Sequence, residues 1–296
     1  MHDFWKYHGL GNDYLVMEPG RFAEVPGAEA IRLICDRHRG VGSDGILWGP
    51  GNTAAATQSD SVPSVRIFNP DGSESGKSGN GLRIFARHLW ERGLAGQSPF
   101  AIAVAGGIVT AEVLDPKGGR IALAMGRVGF ESGEIPVTGP PREVLRESLQ
   151  VAGRTLTVSC ATVGNPHCVI FWDRPSPATA RELGPLVERH PFFPNRTNVQ
   201  FAEVKDEHTL AIEIWERGAG YTLSSGTSSC AAAAVAVRLG LCRSPVTVLT
   251  PGGPLEVRLE ADYAARLEGA VASVGAGAFS DEFLATLGLV RRQANV

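Results

Sequence analysis

The chain has 296 residues, 43% of them apolar, a formal charge of -3 and a pI near 6.2, which is enough for two compact domains with cores of their own. Lys and Arg are scattered, so no electrostatic footprint for nucleic acid is visible, and the longest apolar run, Cys230–Val237, is far too short to cross a bilayer. The opening MHDFWKYHGLGND lacks the apolar stretch of a secretory signal, and the five cysteines (Cys35, Cys160, Cys168, Cys230, Cys242) form no CxxC pair. A cytoplasmic protein with buried free thiols and a small-molecule ligand is expected, without nucleic-acid or membrane partners.

Glycines and prolines spread along the whole length predict short elements and many turns. In chain order, hydrophobic periodicity predicts a strand at Tyr14–Met17, a helix at Ala28–Asp36, a strand at Val65–Phe68 and a helix from Ser78 to Gly93. Strands follow at Phe100–Val104, Ile108–Val113, Ile121–Ala124, Leu156–Val158 and Val169–Trp172, then a helix at Ala178–Arg189. Further strands are expected at Val199–Val204 and Ala211–Trp215, a helix from Ser225 to Gly240, strands at Val246–Thr250 and Leu255–Leu259, and a last helix at Asp281–Leu287. Leu82, Phe85, Ala86 and Leu89 make one apolar face with Gly93 placed as a C-terminal cap, while Ser229–Arg238 is apolar nearly all round and should be buried.

Ser225 lies 147 residues after Ser78, and the same offset pairs Ile67 with Ile214, Phe68 with Trp215, Gly93-Leu94 with Gly240-Leu241 and Gly106 with Gly253. The chain reads as an internal duplication. The fold class expected is α+β: two pseudo-symmetric domains, each a curled, mainly antiparallel sheet around a central helix, with a ligand cleft between them. The linker at Pro116–Gly119 puts one half at residues 1–118 and the other at 119–273, with the segment from about 274 to 296 packing back on the first.

Each serine is followed by Gly and the start of a helix, whose first N–H groups have no partner inside the helix and attract a carboxylate. Gly79-Asn80 and Gly226-Thr227 supply such donors, and glycine lets a ligand approach the backbone. Two such turns, one per half, suit a reaction in which a proton leaves one face of a carbon and returns on the other. Ordinary N-capping by serine is the competing explanation for either turn alone.

The motifs KYHGLGNDYLVM, RHRGVGSDGIL, RIFNPDGSESGKSGNGLRIFAR, GNPHCVIF, NRTNVQF and WERGAGYTLSSGTSSCA, in this order between Phe4 and about Phe279, resemble those of the diaminopimelate epimerase family. The resemblance implies a cofactor-independent amino-acid epimerase of lysine biosynthesis, homodimeric, with no metal. It also implies substrate contacts at Asn12, Asn69, Asn165, Asn198, Glu216 and Arg217, with backbone donors at Gly79, Asn80, Gly226 and Thr227. Chemically the set fits a ligand with two amino-acid ends: Arg217 can hold a distal carboxylate by two parallel bonds, and Glu216 with the asparagines can accept from an ammonium.

The family's two acid/base residues are cysteines, and the resemblance puts Ser78 and Ser225 at those positions. A thiol is readily tuned to a thiolate beside a helix N-terminus, whereas a serine hydroxyl needs another base to activate it. Three readings follow: an epimerase working through Ser78 and Ser225, a divergent isomerase of another amino or carboxylic acid using Lys77 as base, and a noncatalytic amino-acid binder. His8 and His167 lie close in sequence to expected contacts, with structural roles expected for both.

Overall fold

The computed structural model describes residues 2–52 and 62–292. In chain order its elements are β1 (Phe4–Gly9), β2 (Asn12–Met17), α1 (Ala28–Cys35), β3 (Ile46–Asn52), β4 (Pro63–Phe68), β5 (Glu74–Ser75), α2 (Gly79–Glu91), β6 (Phe100–Val104), β7 (Gly107–Val113) and β8 (Arg120–Arg127). They continue with β9 (Glu147–Val151), β10 (Arg154–Thr162), β11 (Pro166–Phe171), α3 (Pro177–Glu188), β12 (Asn198–Asp206), β13 (Thr209–Glu216), β14 (Gly220–Thr222) and α4 (Gly226–Arg238). The chain closes with β15 (Val246–Thr250), β16 (Gly253–Leu259), β17 (Ala264–Ala270), β18 (Ala272–Gly277) and α5 (Asp281–Leu287). The chain divides into two compact units, one of Met1–Leu123 with Ala270–Val296 and one of Ala124–Gly269.

In the first unit the strands run β18-β1-β2-β3-β4-β6-β7-β8, antiparallel except where β2 meets β3 and β4 meets β6. The second repeats the plan as β9-β10-β11-β12-β13-β15-β16-β17, with parallel pairs again at the matching steps, β11 with β12 and β13 with β15. Helix α2 touches β1, β2, β3 and β7, strands from both ends of its sheet, and α4 touches β10 through β13 together with β15 and β16. Each sheet therefore curls about one helix.

Both central helices are built from the same local signals. Ser78 and Ser225 cap them from extended backbone, φ -138° and ψ 119° against φ -144° and ψ 123°, and each side chain accepts the N–H three residues on. At the other end Gly93 (φ 69°) and Gly240 (φ 71°) take the left-handed conformation that glycine tolerates. Leu94 N–H then reaches Leu89 C=O at 2.8 Å and Leu241 N–H reaches Ala236 C=O at 2.9 Å, the six-to-one closure of a Schellman cap. Leu82, Phe85 and Leu89 are fully buried, each contributing about 2 kcal/mol by leaving water. The alanines and valines of α4 are buried from Ala231 to Ala236, so that helix stands inside its sheet on all sides.

The C-terminal segment completes the first unit. β18 pairs with β1, Phe279, Leu284, Leu287 and Leu289 join the core of Leu15, Met17, Ile31 and Trp48, and Arg291 pairs with buried Asp3 at 2.7 Å. In the second unit Leu156, Val158, Ile170, Leu183, Val199 and Phe201 make the corresponding core under α3. All five cysteines are buried and unbridged, as expected for free thiols without a CxxC pair. Among the described residues no helix is long and apolar enough to cross a membrane.

Candidate active site

At the start of α2, the Ser78 hydroxyl oxygen accepts the Gly81 N–H at 3.1 Å and lies 3.3 Å from the hydroxyl of Tyr14 on β2. Gly81 packs closely here, since a Cβ there would meet Ser78 Oγ at 3.2 Å and Leu47 at 3.1 Å. The neighbouring Asn80 is buried and donates to Asn12 Oδ1 at 3.1 Å, while accepting from Arg83, fully buried in the same helix, at 2.7 Å. Asn12 in turn donates to Asp44 at 2.9 Å. The expected contacts Asn12, Ser78, Gly79 and Asn80 thus form one neighbourhood.

A charged network fixes that neighbourhood from below. Asp13 pairs with Lys6 at 2.9 Å and with Arg37 at 2.6 Å, and Arg37 also reaches Asp44 at 2.7 Å. Burial works to raise the Asp13 pKa, but the bonds from Arg37 and Lys6 outweigh it and hold the carboxyl below the usual range. Asn69 stands apart in the turn after β4, where its backbone and side-chain N–H groups bond Ser73 at 2.8 and 2.9 Å. Lys77 is partly buried in the turn before Ser78, and its carbonyl accepts from the Ser75 hydroxyl at 3.2 Å.

At the start of α4, Ser225 Oγ accepts the Ser228 N–H at 3.4 Å and lies 3.5 Å from the Thr227 hydroxyl. Its acidic neighbour is Glu216 at the end of β13. Burial raises the Glu216 pKa, and the Ser225 and Thr222 hydroxyls, the latter donating at 3.3 Å, only partly offset it. A carboxyl whose pKa is raised beside a weakly acidic hydroxyl is suited to receive a proton through it.

The turn after Glu216 is held by its own partners. Asn198 Oδ1 accepts the Arg217 N–H at 2.9 Å while its Nδ2 donates to Pro166 C=O at 2.8 Å, so both ends of this buried amide are committed to positioning. Arg217 Nη1 donates to Asn195 C=O at 3.0 Å. Glu188 accepts from Gly218 N–H at 3.0 Å and Trp215 Nε1 at 2.8 Å, and pairs with Arg196.

Asn165 joins the second neighbourhood through His167, whose Nε2 lies 2.9 Å from Asn165 Oδ1. The other ring nitrogen is 3.2 Å from Gln200 Nε2, and Gln200 donates to Ser228 Oγ at 3.0 Å in the first turn of α4. His167 is fully buried, and burial, aided by the Arg217 charge, pulls its pKa down to about 3. It is therefore neutral near pH 7 and serves as a tautomer-fixed strut. Gln200 and Tyr14 were outside the sequence-derived site; both sit in regular strands, where alternation gives no sign of a polar role. Among the described residues no three His, Cys, Asp or Glu side chains converge to hold a metal.

A family model described as diaminopimelate epimerase matches residues 4–131 and 159–274. The chain is 50% identical over 284 residues to a diaminopimelate epimerase 2 of Nostoc sp. (strain PCC 7120), covering 95% of this chain and 97% of that protein. It is 39% identical over 259 residues to a diaminopimelate epimerase of Moorella thermoacetica, covering 86% and 90%. Among solved structures it resembles a probable proline racemase from Agrobacterium radiobacter K84, with TM-score 0.67 and 16% identity over 95% of this chain and 93% of that one. A hydroxyproline epimerase from Agrobacterium vitis gives TM-score 0.66 and 16% identity over 99% and 92%. At that identity the two structures bear on the fold alone.

Proposed function

Because this chain belongs to the diaminopimelate epimerase family, we propose that it interconverts LL- and meso-diaminopimelate by two-base proton transfer at Cα, through Ser78 and Ser225. The observation that carries the reading is the matched pair of helix starts, Ser78 and Ser225 each capping from extended backbone and each followed by first-turn N–H groups, with Glu216 at the end of the strand beside Ser225. Serine alone is too weak a base for an α-proton, and Glu216 supplies the missing basicity by taking the hydroxyl proton as Ser225 takes the one from carbon. The N–H groups of Gly79-Asn80 and Gly226-Thr227 favour the substrate α-carboxylate and the negative charge that grows on it as the Cα–H bond breaks.

The distal end of the substrate is the task of Arg217, with Asn12, Asn69, Asn165 and Asn198 completing the polar lining. Asn198 acts through the backbone of Arg217 rather than by a free amide. Arg217 can take a second carboxylate in a bidentate pair, the group that separates diaminopimelate from simpler amino acids.

Incubation with LL-diaminopimelate followed by chiral chromatography tests the proposal: the meso isomer should accumulate to an equilibrium mixture. Arg217→Ala should raise KM for diaminopimelate by about 30-fold, the loss of a charge-assisted bond, and leave kcat much less affected. Inversion of a monocarboxylic amino acid in preference to diaminopimelate would refute the substrate assignment.

A further inference from the structure

Tyr14 is buried on β2 with its hydroxyl 3.3 Å from Ser78 Oγ. The ring is seated on Gly45, where any Cβ would come within 2.6 Å of Tyr14 Cε1, so the backbone beneath leaves room for the ring only because residue 45 is glycine. Ser78 Oγ already accepts the Gly81 N–H at 3.1 Å. A hydroxyl has one proton and two lone pairs, so the phenol either donates to the remaining lone pair or accepts the serine proton. A phenol, with an ordinary pKa of about 10, is a far better proton donor than a serine hydroxyl.

We propose that Tyr14 is a positioning residue for Ser78, orienting its hydroxyl and exchanging a proton with it during the reaction. This rests on the epimerase reading above. In the direction in which Ser225 faces the departing proton, the Cα–H bond breaks, its proton passes to Ser225 Oγ, and the Ser225 proton passes to Glu216. On the other face the Ser78 O–H bond breaks as the new Cα–H bond forms, and the Tyr14 proton replaces it on Ser78 Oγ. The products are a protonated Glu216, a tyrosinate at Tyr14 and the inverted amino acid; the reverse reaction or exchange with water restores the starting protonation. Each serine is thereby served by a partner of different chemistry, a phenol at Ser78 and a carboxyl at Ser225.

Tyr14→Phe removes only the hydroxyl and keeps the ring over Gly45, and its effect should depend on what stands at position 78. With serine there, Tyr14→Phe should lower kcat by at least about 100-fold, the lower end of what a positioned acid contributes, with the dissociation constant for LL-diaminopimelate unchanged within about twofold. In the Ser78→Cys background the same change should cost less than about threefold, because a thiol with pKa about 8.5 needs no relay. Equal losses in both backgrounds would assign Tyr14 a structural role, and no loss with serine would remove the relay. Iodoacetamide alkylation of Ser78→Cys, corrected for the parent's buried thiols, reads the contact without any substrate. There Tyr14→Phe should slow alkylation near pH 7 by about twofold, the loss of a hydrogen-bond donor to the thiolate. An unchanged alkylation rate overturns the proposal, whereas a parent protein that binds diaminopimelate without inverting it overturns the epimerase reading and leaves this arm to decide the contact.

Discussion

The two serine-capped helix starts share nearly the same cap dihedrals and have quite different supports. Beneath Ser78 lies a charged layer, Lys6, Arg37, Asp13 and Asp44, and beside it a phenol. Around Ser225 the supporting side chains are His167, Gln200 and Asn198, with one carboxyl whose pKa burial raises and the Arg217 charge near enough to act on His167. Duplication preserved the capped turn, which presents N–H groups to a carboxylate, while the side chains that set protonation diverged. Under the proposed two-base chemistry one face takes a proton while the other gives one, and the two turns would meet those tasks with partners of different chemistry.

The largest effect should come from deleting either hydroxyl. Ser78→Ala and Ser225→Ala should each reduce inversion by about 1,000-fold in a chiral assay, within the range for general acid–base groups; a much smaller loss at one serine would break the symmetry of the comparison. Glu216→Gln should cost about 100-fold in kcat and remove the acidic limb of the pH–rate profile. Because the folded-state pKa of Glu216 is raised, its ionisation destabilises the fold. The parent is thus relatively more stable below the ordinary carboxylate range, and Glu216→Gln should melt higher than the parent near pH 7, with the difference fading in acid.

Asp13→Asn should destabilise the first unit by about 1–2 kcal/mol in urea titrations at pH 7, a paired-carboxylate loss discounted for the half-exposed Arg37. The Asp13 pKa is depressed, so its contribution is present above the ordinary carboxylate value and disappears as pH falls through the depressed one. The remaining effect is a slope. His167 titrates near 3 in the fold against 6.5 ordinarily, so the unfolded chain binds the extra proton between those values and stability falls as pH drops from about 6.5 toward 3. His167→Gln should flatten the melting-temperature slope between pH 6.5 and 4.5, above the range in which most carboxylates titrate.

Much of the fold was legible because its elements carry plain local signals. The two serine caps, the two glycine stops and the apolar face of α2 were all written in sequence, and each predicted helix appears within a residue or two. Strands β1, β3, β5, β9, β14, β17 and β18 were not foreseen. β3 contains Gly49, Pro50 and Gly51, which read as a turn, and β18 is rich in glycine and alanine. β17, AARLEGA, has helix-favouring composition that pairing with β16 overrides. In the site, the asparagines were legible through motif resemblance, but their partners were not. Asn198 bridges Pro166 and Arg217, and Tyr14 meets Ser78 across 64 residues, contacts that exist only once the sheets have curled.

The central claim is that two hydroxyls handle one Cα proton, and solvent deuterium reads it most directly. Incubating LL-diaminopimelate with the protein in deuterium oxide should give meso product carrying deuterium at the inverted Cα, and either Ser78→Ala or Ser225→Ala should abolish inversion. Saturable binding of diaminopimelate with no deuterium entering Cα in the unaltered protein would contradict the account.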